Sequence, residues 1–388
     1  MPPAAAREPR RSVEGGGGKK STLATIQDME RAREERRRQM EERKADKAEQ
    51  QKRNKAAGVV GDADFVRMID AWRESHERDA AAHEAFDCGD ESARATGGEI
   101  CICVRKRPIG RREVAANDHD AVSCVHPEVV VHDCRHRVDG ITKYLANAGF
   151  AFDHAFSEKV DTAEVYRCVG SPLVDFVVGR RGRATIFAYG QTGSGKTYTM
   201  EGIQERAAVQ IFDALGAAGG EIEVGVSFFE IYGGRCQDLL RDRARLQVRE
   251  DGKGEINVVG LAEAPVASAT ALLDAIEKGN ELRTKQKTEM NDASSRSHAI
   301  CQICLRDKRG RIEGKLSLVD LAGSERGQDT RNHNRQLRTE SAEINKSLLA
   351  LKECIRGLAT NDAHARVRAG TSFERAARRV RGDESRRC

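Results

Sequence analysis

The stretch Gly190 to Thr197, read Gly-Gln-Thr-Gly-Ser-Gly-Lys-Thr, constrains the chain more than any other, because it follows directly on the apolar run 184–189 (Ala-Thr-Ile-Phe-Ala-Tyr). A strand running into a glycine-rich loop and then a helix is the setting that a GxxxxGK[ST] motif requires. Gly190, Gln191, Thr192, Gly193, Ser194 and Gly195 let the backbone wrap an anion, so that several N–H groups and the positive end of the next helix face phosphate oxygens. Lys196 is then placed to bridge terminal phosphates, and the Thr197 hydroxyl to ligate Mg²⁺. Alone, the motif names only a nucleotide-binding superfamily.

Two later segments sharpen the expectation. The polar cluster 291–298 (Asn-Asp-Ala-Ser-Ser-Arg-Ser-His) stands just before the apolar run 299–305. Hydroxyls at Ser294, Ser295 and Ser297 flanking Arg296 suit a loop that closes over a γ-phosphate and its metal. The segment 320–325 (Asp-Leu-Ala-Gly-Ser-Glu) follows the run 315–319 (Lys-Leu-Ser-Leu-Val). Asp320 at the end of a buried strand is placed to hold Mg²⁺ through water, and Gly323 lets a backbone amide approach the γ-phosphate.

In this order the three segments resemble the phosphate loop and the two switches of the kinesin motor domain. The resemblance implies an α/β P-loop fold with a central mixed sheet and helices on both faces, and the alternation of strand and helix signals between the motifs agrees. It also implies ATP and Mg²⁺ as ligands and microtubules as partner. The segment 100–108 (Ile-Cys-Ile-Cys-Val-Arg-Lys-Arg-Pro) is similar to the family's first strand and adenine-side loop. By that likeness Arg105 and Pro108 contact the base and Tyr198 stacks on it. Segment 346–351 (Lys-Ser-Leu-Leu-Ala-Leu) resembles the main microtubule-facing helix. Lys352, Glu353 and Cys354 then resemble a signature of kinesin family thirteen, the internal-motor microtubule depolymerases. Arg137, Val138 and Asp139 stand where that branch carries a Lys-Val-Asp loop tip, and the arginine keeps the charge without being sterically equivalent to lysine.

The flanks fit an internal motor. Residues 1–20 are rich in Pro, Ala and Gly and read as disordered. Residues 21–57 read as a basic helical neck; between 31 and 60 there are eleven Lys or Arg against six Asp or Glu, which favours encounter with acidic tubulin. No apolar heptad runs through it, so a solvated helix with local ion pairs is expected rather than a coiled coil. Residues 58–98 read as a neck-to-motor linker in which Phe65, Met68, Ile69 and Trp72 fall at helical spacing for packing, with a plain linker from about Glu74 to Gly98. The motor spans 99–388. Dimerisation, if used, falls to segments outside it.

Composition excludes several classes. No run is apolar enough to cross a bilayer. The net charge of +5 does not demand nucleic acid, and the basic residues lack interleaved aromatics. The eleven cysteines carry no paired metal spacing, and Cys101 and Cys103 are separated by one residue on one strand. They read as reduced thiols of a cytoplasmic, cytoskeleton-associated protein.

The implied mechanism is in-line hydrolysis of ATP: switch closure pairs Arg296 with Glu325, the serines fix metal, phosphate and water, and Glu325 passes a proton through water. The result is ATP-driven depolymerisation from microtubule ends. Three departures keep a catalytically impaired microtubule-binding relative in view, and a translocating motor is the other alternative. The loop that usually interrupts the phosphate-loop helix is missing near Glu201 and Gly202. Segment 366–373 keeps little of a family motif at Arg368 and Ala369, although 382–386 is again similar. Finally, the sequence ends at Cys388 before an expected inner strand and final helix; lacking them, each buried unpaired backbone group would cost about 1–3 kcal/mol.

Overall fold

The fold is described from a computed structural model, in which residues 61–80, 100–140, 142–218, 222–250, 256–284, 295–325 and 335–359 are described, with Gly252 and single residues between 30 and 49. The described residues between 30 and 49 are helical and exposed, with ion pairs such as Arg38 to Glu35 at 2.9 Å. The proposed disordered terminus, most of the neck, the segment 366–373 and the register match at 382–386 lie outside the described residues.

The chain forms two compact units, the smaller drawn from Met1–Ala71, Ile109–Ala121 and Cys134–Leu145. Its described part opens on helix α1 (Ala63–Ala80), of which Phe65 and Ile69 are buried. Met68, expected on the same apolar stripe, is exposed. Phe65 sits 5.6 Å from the ring of His136, and Lys143 lies 5.1 Å above it. The Lys143 ammonium also pairs with Asp62 and Asp64, so the helix start is fixed by charge as well as by apolar contact. Beyond Glu74, where the sequence reads as linker, α1 continues as helix to Ala80. Polarity there removes the buried stripe without removing helix propensity.

The larger unit holds the candidate site. In chain order its elements are β1 (Cys103–Arg105), then, past the short α2 (Arg111–Ala115) of the smaller unit, β2 (Val122–Val125), β3 (Glu128–His136) and β4 (Lys143–Ala151), whose residues 134–136 and 143–145 are counted in the smaller unit, and β5 (His154–Phe156). α3 (Thr162–Val165) leads through a π turn (Tyr166–Gly170) into α4 (Ser171–Gly179), followed by β6 (Arg183–Ala188) and α5 (Lys196–Ala218). Next come β7 (Glu223–Tyr232), β8 (Arg235–Asp238), β9 (Ala244–Glu250), β10 (Ile256–Val259) and β11 (Ala264–Val266). α6 (Ala269–Thr284), β12 (His298–Arg306), β13 (Ile312–Asp320) and α7 (Arg335–Ala359) complete the set.

Strands run β10-β9-β8-β7-β12-β13-β6, with β11 on β7, in an eight-stranded mixed sheet whose β13–β6 pair is parallel. The sheet is buried on both faces, and the period-2 alternation of strand side chains shows it. Phe228, Cys301, Ile303, Leu316 and Leu318 join one core with residues of α4, α5 and α6. Their neighbours Phe229 and Ile300 join a second cluster, with Val319 packed against it. His298, on the same face as Ile300, bonds Ser347 of α7, so a helix lies against each face. The expected α/β fold is therefore the observed one. Each large side chain fully buried in these clusters contributes about 1.5–3 kcal/mol.

Of the nine described cysteines, eight are free thiols.

Candidate functional site

The parallel register of β13 on β6 builds the site. Asp320 pairs with Ala188, the last residue of β6, so an acidic side chain arrives beside the start of the glycine loop. Gly193 (φ 77°) and Gly195 (φ 92°) hold the left-handed backbone that the loop needs, and a Cβ at either would meet nothing within 4 Å. That open concavity fits a phosphate chain. Lys196 donates from Nζ to the carbonyls of Gly190 and Gln191 at 3.0 and 2.9 Å. Burial holds its ammonium below the ordinary lysine range, against the raising fields of Asp320 and Glu325.

Thr197 at the start of α5 donates its hydroxyl to Asp320 Oδ2 at 2.8 Å. The same oxygen accepts from Arg283 Nη1 at 2.7 Å, while Asp320 Oδ1 is buried without a hydrogen-bond partner. A buried carboxylate oxygen left without a donor, next to a threonine hydroxyl, fits a hard divalent cation such as Mg²⁺. Thr197, Glu201, Asn280, Arg283 and Asp320 line a small cleft. Burial, then the charge of Asp320, raises the Glu201 carboxyl above its usual range.

The segment after β13 is stitched to both other motifs. Leu321 N donates to Ala188 O at 3.4 Å, Gly323 N to Ser295 O at 2.7 Å and Ser324 N to Gly190 O at 3.1 Å. Glu325 accepts from the Thr192 amide at 3.0 Å and from the Thr192 hydroxyl. Burial alone would raise the Glu325 carboxyl, but the Thr192 bonds and the Lys196 charge bring it below the carboxylate range. A Cβ on Gly323 would lie within 2.5 Å of Glu325 and Thr192 oxygens, so a side chain there would displace the Glu325 carboxylate from Thr192. Glu325, expected to meet Arg296, is thus seen on Thr192.

Ser295 and Arg296 are half-buried, Ser297 is buried, and Ser294 lies outside the described residues. Arg283 escapes sequence reasoning. From α6 it donates to Ser297 Oγ at 3.1 Å and Ser297 O at 3.0 Å besides Asp320, joining the two later motifs through a side chain that is 3% exposed. No local signal marks it, since an arginine in a last helical turn usually faces water.

On the other side of the loop, Arg105 donates to Thr199 Oγ1 and Thr162 Oγ1, both at 3.0 Å, and its guanidinium carbon lies 5.6 Å from the centre of the Tyr198 ring. Tyr198 is exposed, and the Pro108 carbonyl accepts from Arg107 at 2.9 Å. Lys352 on α7 stands 5.5 Å over the ring of Tyr189, the residue before the loop; Leu348 and Ala350 of that helix are buried and Leu349 is exposed. Glu353 is exposed and Cys354 half-buried. Arg137, Val138 and Asp139 belong to the smaller unit. They form a turn in which Gly140 N donates to Arg137 O and Thr142 N to Asp139 Oδ1, both at 2.8 Å, with the Val138 side chain fully exposed.

Residues 105–370 match the family model of the kinesin motor domain. Over 370 residues the chain is 49% identical to diatom spindle kinesin-1 of Cylindrotheca fusiformis, covering 94% of this chain and 58% of that relative's length.

Proposed function

The chain belongs to the kinesin motor family, and from that premise we propose that it hydrolyses ATP and uses the switch movement to alter its grip on microtubules. The observation that carries the reading is the Thr197–Asp320 bond beside an unpaired buried carboxylate oxygen, at the mouth of a glycine loop. Gly190 to Thr197 hold the phosphates, and Arg105, Pro108 and Tyr198 the base. Thr197, Ser295 and Asp320 hold Mg²⁺, which when bound neutralises the charge developing on the terminal phosphate oxygens.

The remaining chemistry is positioning. Gly323 presents its amide to the γ-phosphate, while Ser294, Ser297 and Arg296 fix phosphate and water. Glu325 leaves Thr192 for Arg296 as the switches close and takes the proton of the attacking water through a second water. Alignment of this kind supplies most of the rate in phosphoryl transfer.

The finer reading is depolymerisation from microtubule ends. Lys352, Glu353 and Cys354 on α7 and the exposed turn Arg137, Val138, Asp139 support it as contacts with tubulin. If those contacts favour curved over straight tubulin in the ATP state, filament ends are destabilised, because a ligand shifts an equilibrium only by its differential affinity. A cytoplasmic, microtubule-associated location follows from this reading, and the spindle kinesin relative supports it.

Microtubule-stimulated ATP turnover tests the enzyme, and its absence in well-folded protein would overturn that part. Loss of microtubule mass with ATP, as opposed to directed gliding, separates depolymerase from translocating motor. The uninterrupted helix α5, spanning Lys196–Ala218 without an inserted loop, favours a second reading: a relative that binds microtubules with weak turnover.

A further inference from the structure

At the heads of β1 and β5, three metal-binding side chains meet. Spacing alone marks no metal site at Cys101 and Cys103, and strand pairing supplies the missing ligand. β1 and β5 pair in parallel with Cys103 opposite His154. Cys101, two residues earlier, falls on the same side of an extended chain as Cys103. The two sulfurs lie 3.5 Å apart, and together with a ring nitrogen of His154 they fall within 4.8 Å of one another.

The cluster is fixed from behind. Ile102, between the cysteines, donates its amide to Asp153 Oδ2 at 2.6 Å, and the Asp153 amide donates back to Ile102 O at 3.0 Å. His154 stacks on His126 with ring centres 5.8 Å apart, and His126 Nδ1 accepts from the Ala155 amide at 3.3 Å. Backbone and imidazole are thereby held in place on both sides of the donor set.

We propose that Cys101, Cys103 and His154 bind one Zn²⁺ ion, with the fourth position open to solvent on the side of the exposed Cys101. Two sulfurs and one imidazole are a soft-to-borderline donor set that suits Zn²⁺ and disfavours Mg²⁺ and Ca²⁺, which take oxygen. Binding forms two Zn–S bonds and one Zn–N bond and releases the two thiol protons to solvent. None of the three residues belongs to the phosphate loop or to the two later motifs, and the proposal does not depend on the ATPase reading.

The test titrates the full chain, reduced and stripped with a chelator, with Co²⁺ as a spectroscopic probe and then Zn²⁺ in competition. One equivalent of Co²⁺ should give thiolate-to-cobalt charge transfer and the intense visible bands of a near-tetrahedral ion, both erased by Zn²⁺. Losses in the outer shell of metal sites already cost about 10–100-fold in affinity, so Cys101→Ser and His154→Phe should each weaken Zn²⁺ binding at least tenfold. Cys101 is exposed, so Cys101→Ser should keep the wild-type circular dichroism and melting temperature without metal, yet lose the rise in melting temperature that Zn²⁺ gives the wild type. The chain has eleven cysteines, so the variants are decisive. No charge-transfer band, or unchanged affinity in Cys101→Ser and His154→Phe, would overturn the proposal.

Discussion

His298 and Ser347 are joined by a 2.8 Å hydrogen bond between the imidazole Nε2 and the serine hydroxyl, which ties the first residue of β12 to the middle of α7. The other ring nitrogen, Nδ1, accepts from the Ala322 amide at 3.1 Å, and the Ser347 hydroxyl donates to Ile344 O at 2.7 Å. The ring is therefore neutral with its proton on Nε2, and it connects the segment after Asp320 to the helix that carries Lys352.

Burial, and then the charge of Arg283, push His298 down to about 4 from the ordinary 6.5, while Asp320 opposes them. A protonated ring would have to give up the Ala322 amide. Because the folded pKa is the lower one, the unfolded chain takes up more protons between these values, so stability is full above about pH 6.5 and falls as pH drops toward 4. The loss amounts to about 3 kcal/mol. Denaturant melts at about pH 7.5 and about pH 4.5 should show His298→Asn losing less stability than wild type between the two. An equal loss in both proteins would show that other groups carry the acid dependence.

Glu325→Ala should separate binding from chemistry. Thr192 and the phosphate loop remain, so nucleotide affinity should change by less than about threefold, while stimulated turnover falls by about 10²–10³, as when one transition-state contact is lost. Nucleotide titration and steady-state turnover on one preparation measure both. A loss of affinity as large as the loss of turnover would assign Glu325 to ground-state binding instead.

Gly279 of α6 lies against Phe228 of β7, where an added Cβ would come within 2.2 Å of the ring. Gly279→Ala gains about 1 kcal/mol of helix propensity, but forcing a buried aromatic ring aside costs about 1–3 kcal/mol. The expected outcome is net destabilisation by urea melt. Phe228→Leu, itself destabilising, should absorb part of the Gly279→Ala penalty, so that the double variant is better than additive.

The glycine loop and its flanking strand and helix were legible because each part answers a local need: left-handed backbone at Gly193 and Gly195, an apolar run before them and a helix after. Asp320 was legible as a strand end, but its 2.8 Å contact with Thr197 was not, since it depends on which strand β13 pairs with and in what register. The amphipathic pattern at 65–72 signalled helix but missed the extension to Ala80, because a helix without a buried stripe has the composition of a linker. Cys101 and Cys103 were visible as a pair, whereas His154 sits 51 residues further on and reaches them only through β5. Arg283 was hidden for the same reason, its partners being brought to it by tertiary structure.

Arg283 gives the sharpest test of the site's architecture. Its guanidinium donates to Ser297 Oγ, Ser297 O and Asp320 from a position that is 3% exposed. Arg283→Lys keeps the charge but has no planar fork, so it can satisfy Asp320 or Ser297 and not hold both in the same geometry. Arg283→Met removes the charge and leaves the buried Asp320 carboxylate with Thr197 alone; breaking a buried pair from one side costs about 3–5 kcal/mol. Stability should therefore fall in the order wild type, Arg283→Lys, Arg283→Met, and Arg283→Met combined with Asp320→Asn should recover part of the loss. Turnover should separate from stability: Arg283→Lys, though folded, should lose activity because Ser297 and Asp320 are no longer held by one rigid group. Full turnover in Arg283→Lys would show that the arginine secures the fold without positioning the two motifs.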